Sequence, residues 1–249
     1  MGSMKVLVTG SEGSIGRMVV RALADAGHEV RGLDFASRTD SPRQFFAGSI
    51  TDPEGVARAM EGMDTVVHLA AIPDDADFME VLLEPNVIGP YRIFEAAVAA
   101  GVRRVVVASS IQVNAPWSSE DEVIRIEDTP LLNNHYALTK LWAEDLALFY
   151  AQKRHLSTIA VRIGWYPREA RNIEDNPLLP VLMNWYLSRR DASDFFRRCV
   201  ESPRPEAGHR EVLFAVGRQK HPPCFDLSRS EAVLGYVPRD TYPENLVFD

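Results

Sequence analysis

The chain has 249 residues, of which 46% are hydrophobic and 25% charged, enough for one large α/β domain with a sizeable core and a small appendage. A formal net charge of −8 with no basic tract excludes broad binding to nucleic acid or anionic membrane, and no apolar run approaches the length of a membrane span. No signal peptide precedes the first strand, and Cys199 and Cys224 have neither metal-ligand nor redox-pair spacing, so a cytoplasmic protein with ordinary thiols and no metal site is expected.

The first element is the apolar run Val6-Leu7-Val8, which enters a loop with glycines at 10, 13 and 16. Met18, Val19, Ala22, Leu23 and Ala26 then recur with helical period. In this strand, glycine turn and helix, Gly10 makes the tight turn and Gly13 lets a pyrophosphate approach the backbone. Gly16 lets the helix lie close on the strand, and Ser14 and Ile15 open a helix whose free amides and positive dipole end suit phosphates. A glycine triplet alone also fits any tight βαβ turn. Here the second strand, from Glu29, ends on Asp34, whose carboxylate can accept from both adenosine ribose hydroxyls and repels a 2′-phosphate. NAD is therefore expected over NADP, with Phe35 beside the cofactor and Arg38 as the feature that favours NADP.

Residues 37–43 read as a loop, Gln44 to Gly48 as a third strand, and Asp52-Pro53 as a helix start with Val56, Ala59 and Met60 on the apolar face. Asp64 to Ala71 is a fourth strand in which His68 reads as a satisfied core histidine; Leu69, Ala70 and Ala71 leave room for a cofactor at its end. After an acidic loop from Pro73 to Phe78, helical spacing begins at Glu84 and closes at Gly101. Val102 to Ala108 is a continuous apolar strand, as a buried parallel strand should be, and ends on Ser109-Ser110. Residues 115–131 read as irregular, with Glu120-Asp121-Glu122 on the surface, before a long helix from Asn134 to Arg154 and a sixth strand from Ser157 to Gly164.

Leu178 to Leu187 predicts a short helix, Ser193 to Val200 another, and Glu211 to Gly217 a seventh strand. This alternation gives an α/β fold, a Rossmann-type doubly wound parallel sheet with right-handed crossovers. The expected division is a cofactor domain over 4–164 and about 191–217, with a small C-terminal substrate-binding cap from about 165–190 and 218–249. Ligands of such sheets bind beyond the carboxyl ends of the strands, where Gly10–Gly16, Ser109-Ser110 and Gly164 converge.

Tyr136 and Lys140 lie four apart on one predicted helix face. A nearby positive charge favours the phenolate, so such a pair can act as a general base near neutral pH, with Ser109 or Ser110 at the substrate oxygen. Taken alone, Tyr-x-x-x-Lys is usually structural; the dinucleotide loop and the serine-ended strand give it chemical meaning.

Together, Thr9–Gly16, Leu69-Ala70-Ala71, Asn86 with Val87 and Gly89, Ser109-Ser110, and Tyr136 with Lys140 resemble the extended, epimerase/dehydratase-like branch of the short-chain dehydrogenase/reductase superfamily. The resemblance covers nearly the whole chain. It implies a triad of Ser110, Tyr136 and Lys140: Tyr136 as acid/base, Lys140 on the nicotinamide ribose and tuning Tyr136, and Ser110 orienting the reacting oxygen. It also implies that Asn86 supports Lys140 through a water, that Ser49 and Ile50 flank the adenine where the family has an acidic residue, and that Ser109 and Ile163 border the cofactor. Within the branch, Val161–Gly164, Trp185–Ser188 and the short C-terminal part resemble uronate dehydrogenases and similar NAD-dependent dehydrogenases of free sugars. Those enzymes have Asn-His where this chain has Ile111-Gln112. Pro73, Ile111, Gln112 and Arg168 are the implied substrate contacts, with Arg171 or Arg189 as other partners for a substrate carboxylate.

The expected activity is hydride transfer between a sugar or uronate-like sugar-acid hydroxyl and NAD. The competing expectations are an epimerase or reductase that retains NAD(H), and a non-catalytic NAD-binding regulatory protein. A homodimer through helices 85–100 and 134–154 is also expected.

Overall fold

A computed structural model of the chain describes residues 2–35, 44–114, 123–170, 173–174, 176–220 and 223–248. Arg38, Arg171 and the acidic run 120–122 lie outside them. Seven parallel strands form one sheet: β1 (Lys5–Thr9), β2 (Glu29–Asp34), β3 (Gln44–Ala47), β4 (Thr65–His68), β5 (Arg104–Ser110), β6 (Ser157–Ile163) and β7 (Arg210–Ala215). Their order, β3-β2-β1-β4-β5-β6-β7, puts the topological switch point between β1 and β4. The central strands β4 and β5 are buried throughout, which explains why their sequences are continuous apolar runs rather than alternating ones.

Helices cover both faces. On one face α1 (Ser14–Asp25), α6 (Arg189–Glu201) and α7 (Ser228–Leu234) bring Val19, Leu23, Phe195, Phe196 and Val233 onto the sheet. On the other, α2 (Pro53–Met60), α3 (wide turns over Phe78–Ile88, then Gly89–Ala99) and α4 (His135–Arg154) bring Met60, Phe94, Ala97, Ala147 and Tyr150. A short helix α5 (Leu179–Leu182) and a 3-10 turn Met183–Trp185 follow β6. Leu182 and Trp185 join Ile111, Ile124, Phe214, Val216 and Phe225 in a third apolar cluster.

Three elements differ from the expectation. Helix α3 starts with wide π-type turns over Phe78–Ile88, six residues before the expected onset at Glu84, and continues as regular helix over Gly89–Ala99. Asp77 caps it by accepting from the Glu80 amide at 2.8 Å, and Pro85, which has no amide hydrogen to donate, falls within the wide turns. Helix α6 begins at Arg189 rather than Ser193, because Ser188 Oγ accepts from the Asp191 amide. Helix α7 was not expected at all. Its last residues, Val233 and Leu234, and Tyr236 pack into the first core cluster.

Candidate active site

The loop after β1 turns sharply enough to exclude side chains. Gly10 has φ +68°, and a Cβ there would lie 2.7 Å from the Ala70 amide nitrogen. A Cβ on Gly16 would lie 1.9 Å from the Gly10 carbonyl oxygen, so α1 can approach β1 this closely only at glycine. Gly13 precedes α1 with no side-chain cap, and the first turn carries no acidic residue, which leaves the amide end of the helix to an external anion. Asp34, at the end of β2, is drawn to the same loop: its carboxylate accepts from the Glu12 amide at 2.9 Å and from the Phe35 amide at 2.7 Å. The Phe35 ring itself is exposed.

A cleft of about 580 Å³ runs from this loop across the ends of β4, β5 and β6, a volume typical of small-molecule sites. Gly10, Gly13, Ser14, Ile15 and Gly16 line one end; Leu69, Ala71, Pro73, Ser109, Ser110 and Ile163 line its length. Tyr136, Lys140, Ile111, Gln112 and Arg168 of the expected residues also line it, with Trp165, Tyr166, Leu182 and Trp185 beside them, whereas Asp34, Phe35, Ser49, Ile50, Ala70 and Asn86 do not.

Ser110, Tyr136 and Lys140 come together on one wall. Ser110 Oγ accepts from the Gln112 amide at 3.2 Å and lies close enough to the Tyr136 phenol to lower its pKa. Lys140 Nζ donates to the Ala108 carbonyl at 3.2 Å and lies 5.4 Å from the Tyr136 ring centre. Burial, with the Asp74 charge behind it, pushes the Tyr136 phenol up to about 12, while the neighbouring Ser110 hydroxyl and Arg168 act the other way. Burial brings Lys140 down to about 8. His68 is held neutral, at about 3, by burial and by Lys140, and bonds Thr9 Oγ1 at 2.7 Å; it is the satisfied core histidine its sequence context suggested.

Other expected contacts are engaged elsewhere. Asn86 clamps Ile72 at both backbone groups, at 2.8 and 2.9 Å, and donates to Thr139 Oγ1. Ser49 Oγ bonds Thr51, and Ile50 is buried in the second core cluster. Ser109 donates at 2.5 Å to Glu144, a buried carboxylate held by Arg162 through bonds of 2.8 and 2.9 Å. Glu144 lies one turn beyond Lys140 on the same helix, a spacing that was visible in the sequence. Gln112 accepts from Asn134 at 2.8 Å, and Arg168 is ion-paired with Asp74. Asp74 had no signal in the sequence beyond its place in an acidic loop.

These residues fit NAD: two glycines that a Cβ would block, an uncapped amide end, and a cleft long enough to continue from that end to Tyr136. A sequence profile of the NAD dependent epimerase/dehydratase family matches residues 6–166. The chain is 29% identical over 252 residues to an L-arabinose 1-dehydrogenase (NAD(P)(+)) of Haloferax volcanii, covering 95% of this chain and 96% of that one. It is 28% identical over 240 residues to a uronate dehydrogenase of Pseudomonas syringae pv. tomato, covering 95% and 82%. The crystal structure of uronate dehydrogenase from Agrobacterium tumefaciens superimposes with a TM-score of 0.79 at 26% identity, covering 96% of this chain and 86% of that one. With its glycine loop, its parallel sheet and its Ser-Tyr-Lys wall, the chain belongs to the NAD dependent epimerase/dehydratase family, and NAD is the cofactor that this membership carries.

Proposed function

We propose that the protein is an NAD-dependent dehydrogenase that oxidises a hydroxyl of a free sugar or sugar acid, with Tyr136 as the acid/base. The observation that carries this reading is the convergence of Ser110, Tyr136 and Lys140 on one wall of a cleft that also contains the glycine loop. NAD, when bound, accepts the hydride and brings a positive charge to the phenol. Tyr136 takes the hydroxyl proton, Ser110 holds the reacting oxygen, and Lys140 keeps a cationic group beside the phenol. For a cyclic sugar oxidised at its C1 hydroxyl, the product is a lactone. Asp34 selects NAD by accepting from the ribose hydroxyls and repelling a 2′-phosphate.

Segment 165–190 serves as the substrate cap, a role supported by Trp165, Tyr166, Leu182 and Trp185 along the cleft, whereas in 218–249, the other part expected to form it, Val233, Leu234 and Tyr236 pack against the sheet. Tyr91 on α3 and Leu138, Trp142 and Phe149 on α4 leave large apolar side chains exposed, which supports a homodimer built on these helices.

Replacing Tyr136 with Phe tests the assignment. Turnover should fall at least about a hundredfold while NAD binding, read by calorimetry, stays unchanged. Retention of turnover in that variant would remove Tyr136 from the mechanism.

A further inference from the structure

Resting on the dehydrogenase reading, we infer that Asp74 is a specificity-determining residue that makes the site favour an uncharged aldose over the corresponding uronate. Asp74 lines the cleft beside Pro73 with φ +66°, a left-handed conformation that few residues other than glycine adopt and that aspartate tolerates better than most. This backbone geometry sets the carboxylate at the same opening as Tyr136 and Arg168.

Among the described residues, Lys140 and Arg168 are the basic side chains on the cleft wall. Lys140 sits at the phenol, and Arg168 is ion-paired with Asp74. The remaining residues at the substrate end are neutral: Ile111, Gln112, Leu182, Trp165 and Trp185. A substrate carboxylate would therefore share one guanidinium with a carboxylate already there, and like charges in one site repel. Sugar hydroxyls meet the opposite situation. They donate to Asp74 in charge-assisted hydrogen bonds. The electrostatics at the reacting atom agree, since the Asp74 charge raises the Tyr136 phenol more than Arg168 lowers it.

Paired substrates test this without assuming a configuration. L-arabinose and D-galacturonate share a ring configuration and differ in the carboxylate; D-glucose and D-glucuronate form a second pair that differs at one carbon. With NAD and the wild-type chain, kcat/KM should favour the uncharged member of each reacting pair by about tenfold or more. Asp74→Asn should narrow that ratio several-fold, mainly by raising the uronate rate, and Arg168→Gln should not cost the uronate selectively. Circular dichroism checks the variants' folding, and the wild-type ratio stands whatever they do. A wild-type preference for the uronates, an unchanged ratio in a folded Asp74→Asn, or a selective loss of uronate activity in Arg168→Gln would each overturn the inference and leave the dehydrogenase reading standing. No reaction with any of the four sugars, while NAD still raises the melting temperature, would bring down the dehydrogenase reading and this inference with it.

Discussion

Burial acts on the two titrating side chains of the cleft in opposite directions, and each shift has a consequence that can be measured. Tyr136 at about 12 stays protonated at neutral pH, so the proposed role as a base requires positive charge beside the phenol, which a bound nicotinamide would supply. Lys140 at about 8, against an ordinary 10.5, holds its proton less tightly in the folded chain while staying mostly charged at pH 7. The unfolded chain therefore binds the extra proton between these two values, and Lys140's contribution to stability rises with pH across that window. Below pH 8 the buried ammonium costs stability. Lys140→Met is expected to lose turnover yet melt several degrees higher at pH 7, with the difference shrinking as pH approaches 10.5; a lower melting temperature at pH 7 would contradict this account. Tyr136 and Lys140 were legible in the sequence because helical spacing alone puts them on one face. Asp74 was not, because its position depends on an irregular loop with a positive φ that no periodicity announces.

Among the elements, β5 and α4 are joined by the Ser109–Glu144–Arg162 network, which fixes the strand end that carries Ser110 against the helix that carries Tyr136. Arg162 also lies over the Phe214 ring, so the same guanidinium reaches the third apolar cluster. Both charges are almost wholly buried, and removing one leaves the other without compensation. Glu144→Ala is expected to destabilise the fold by about 3–5 kcal/mol in urea titration, and Glu144→Leu with Arg162→Met to recover most of that loss. A loss below about 1 kcal/mol in the single variant would mean that water or another group replaces the carboxylate. The onsets of α3 and α6 were written in the sequence as Asp77-x-x-Glu80 and Ser188-x-x-Asp191, cap patterns that for α3 outrank the apolar spacing that began at Glu84. Helix α7, at seven residues, is too short for a period to be recognised, and its formation depends on tertiary contacts such as the Ser230 hydroxyl on the Phe214 carbonyl.

At the scale of the whole molecule, strand and helix alternation was enough to anticipate the parallel sheet, because a parallel crossover has one favoured hand and the glycine loop identifies the first strand. The strand order then brings residues from positions 10 to 185 to one cleft. The substrate end was the least legible part, since its walls come from prolines, short turns and isolated aromatics rather than from regular elements. Outside the cleft, the apolar side chains on α3 and α4 predict a homodimer by light scattering at micromolar concentration, and Trp142→Asp with Phe149→Asp should yield a monomer that still binds NAD. A monomeric wild-type protein would contradict the dimer.

The central claim, that this cleft oxidises a sugar hydroxyl and passes the hydride to NAD, is tested most directly by stoichiometry. The enzyme is incubated with excess NAD and a panel of aldoses and uronates, and NADH formed is compared with sugar consumed. One NADH per sugar, with little signal when NADP replaces NAD, is the predicted result. Sugar conversion without net NADH would contradict the claim and make the protein an enzyme that retains and recycles its cofactor.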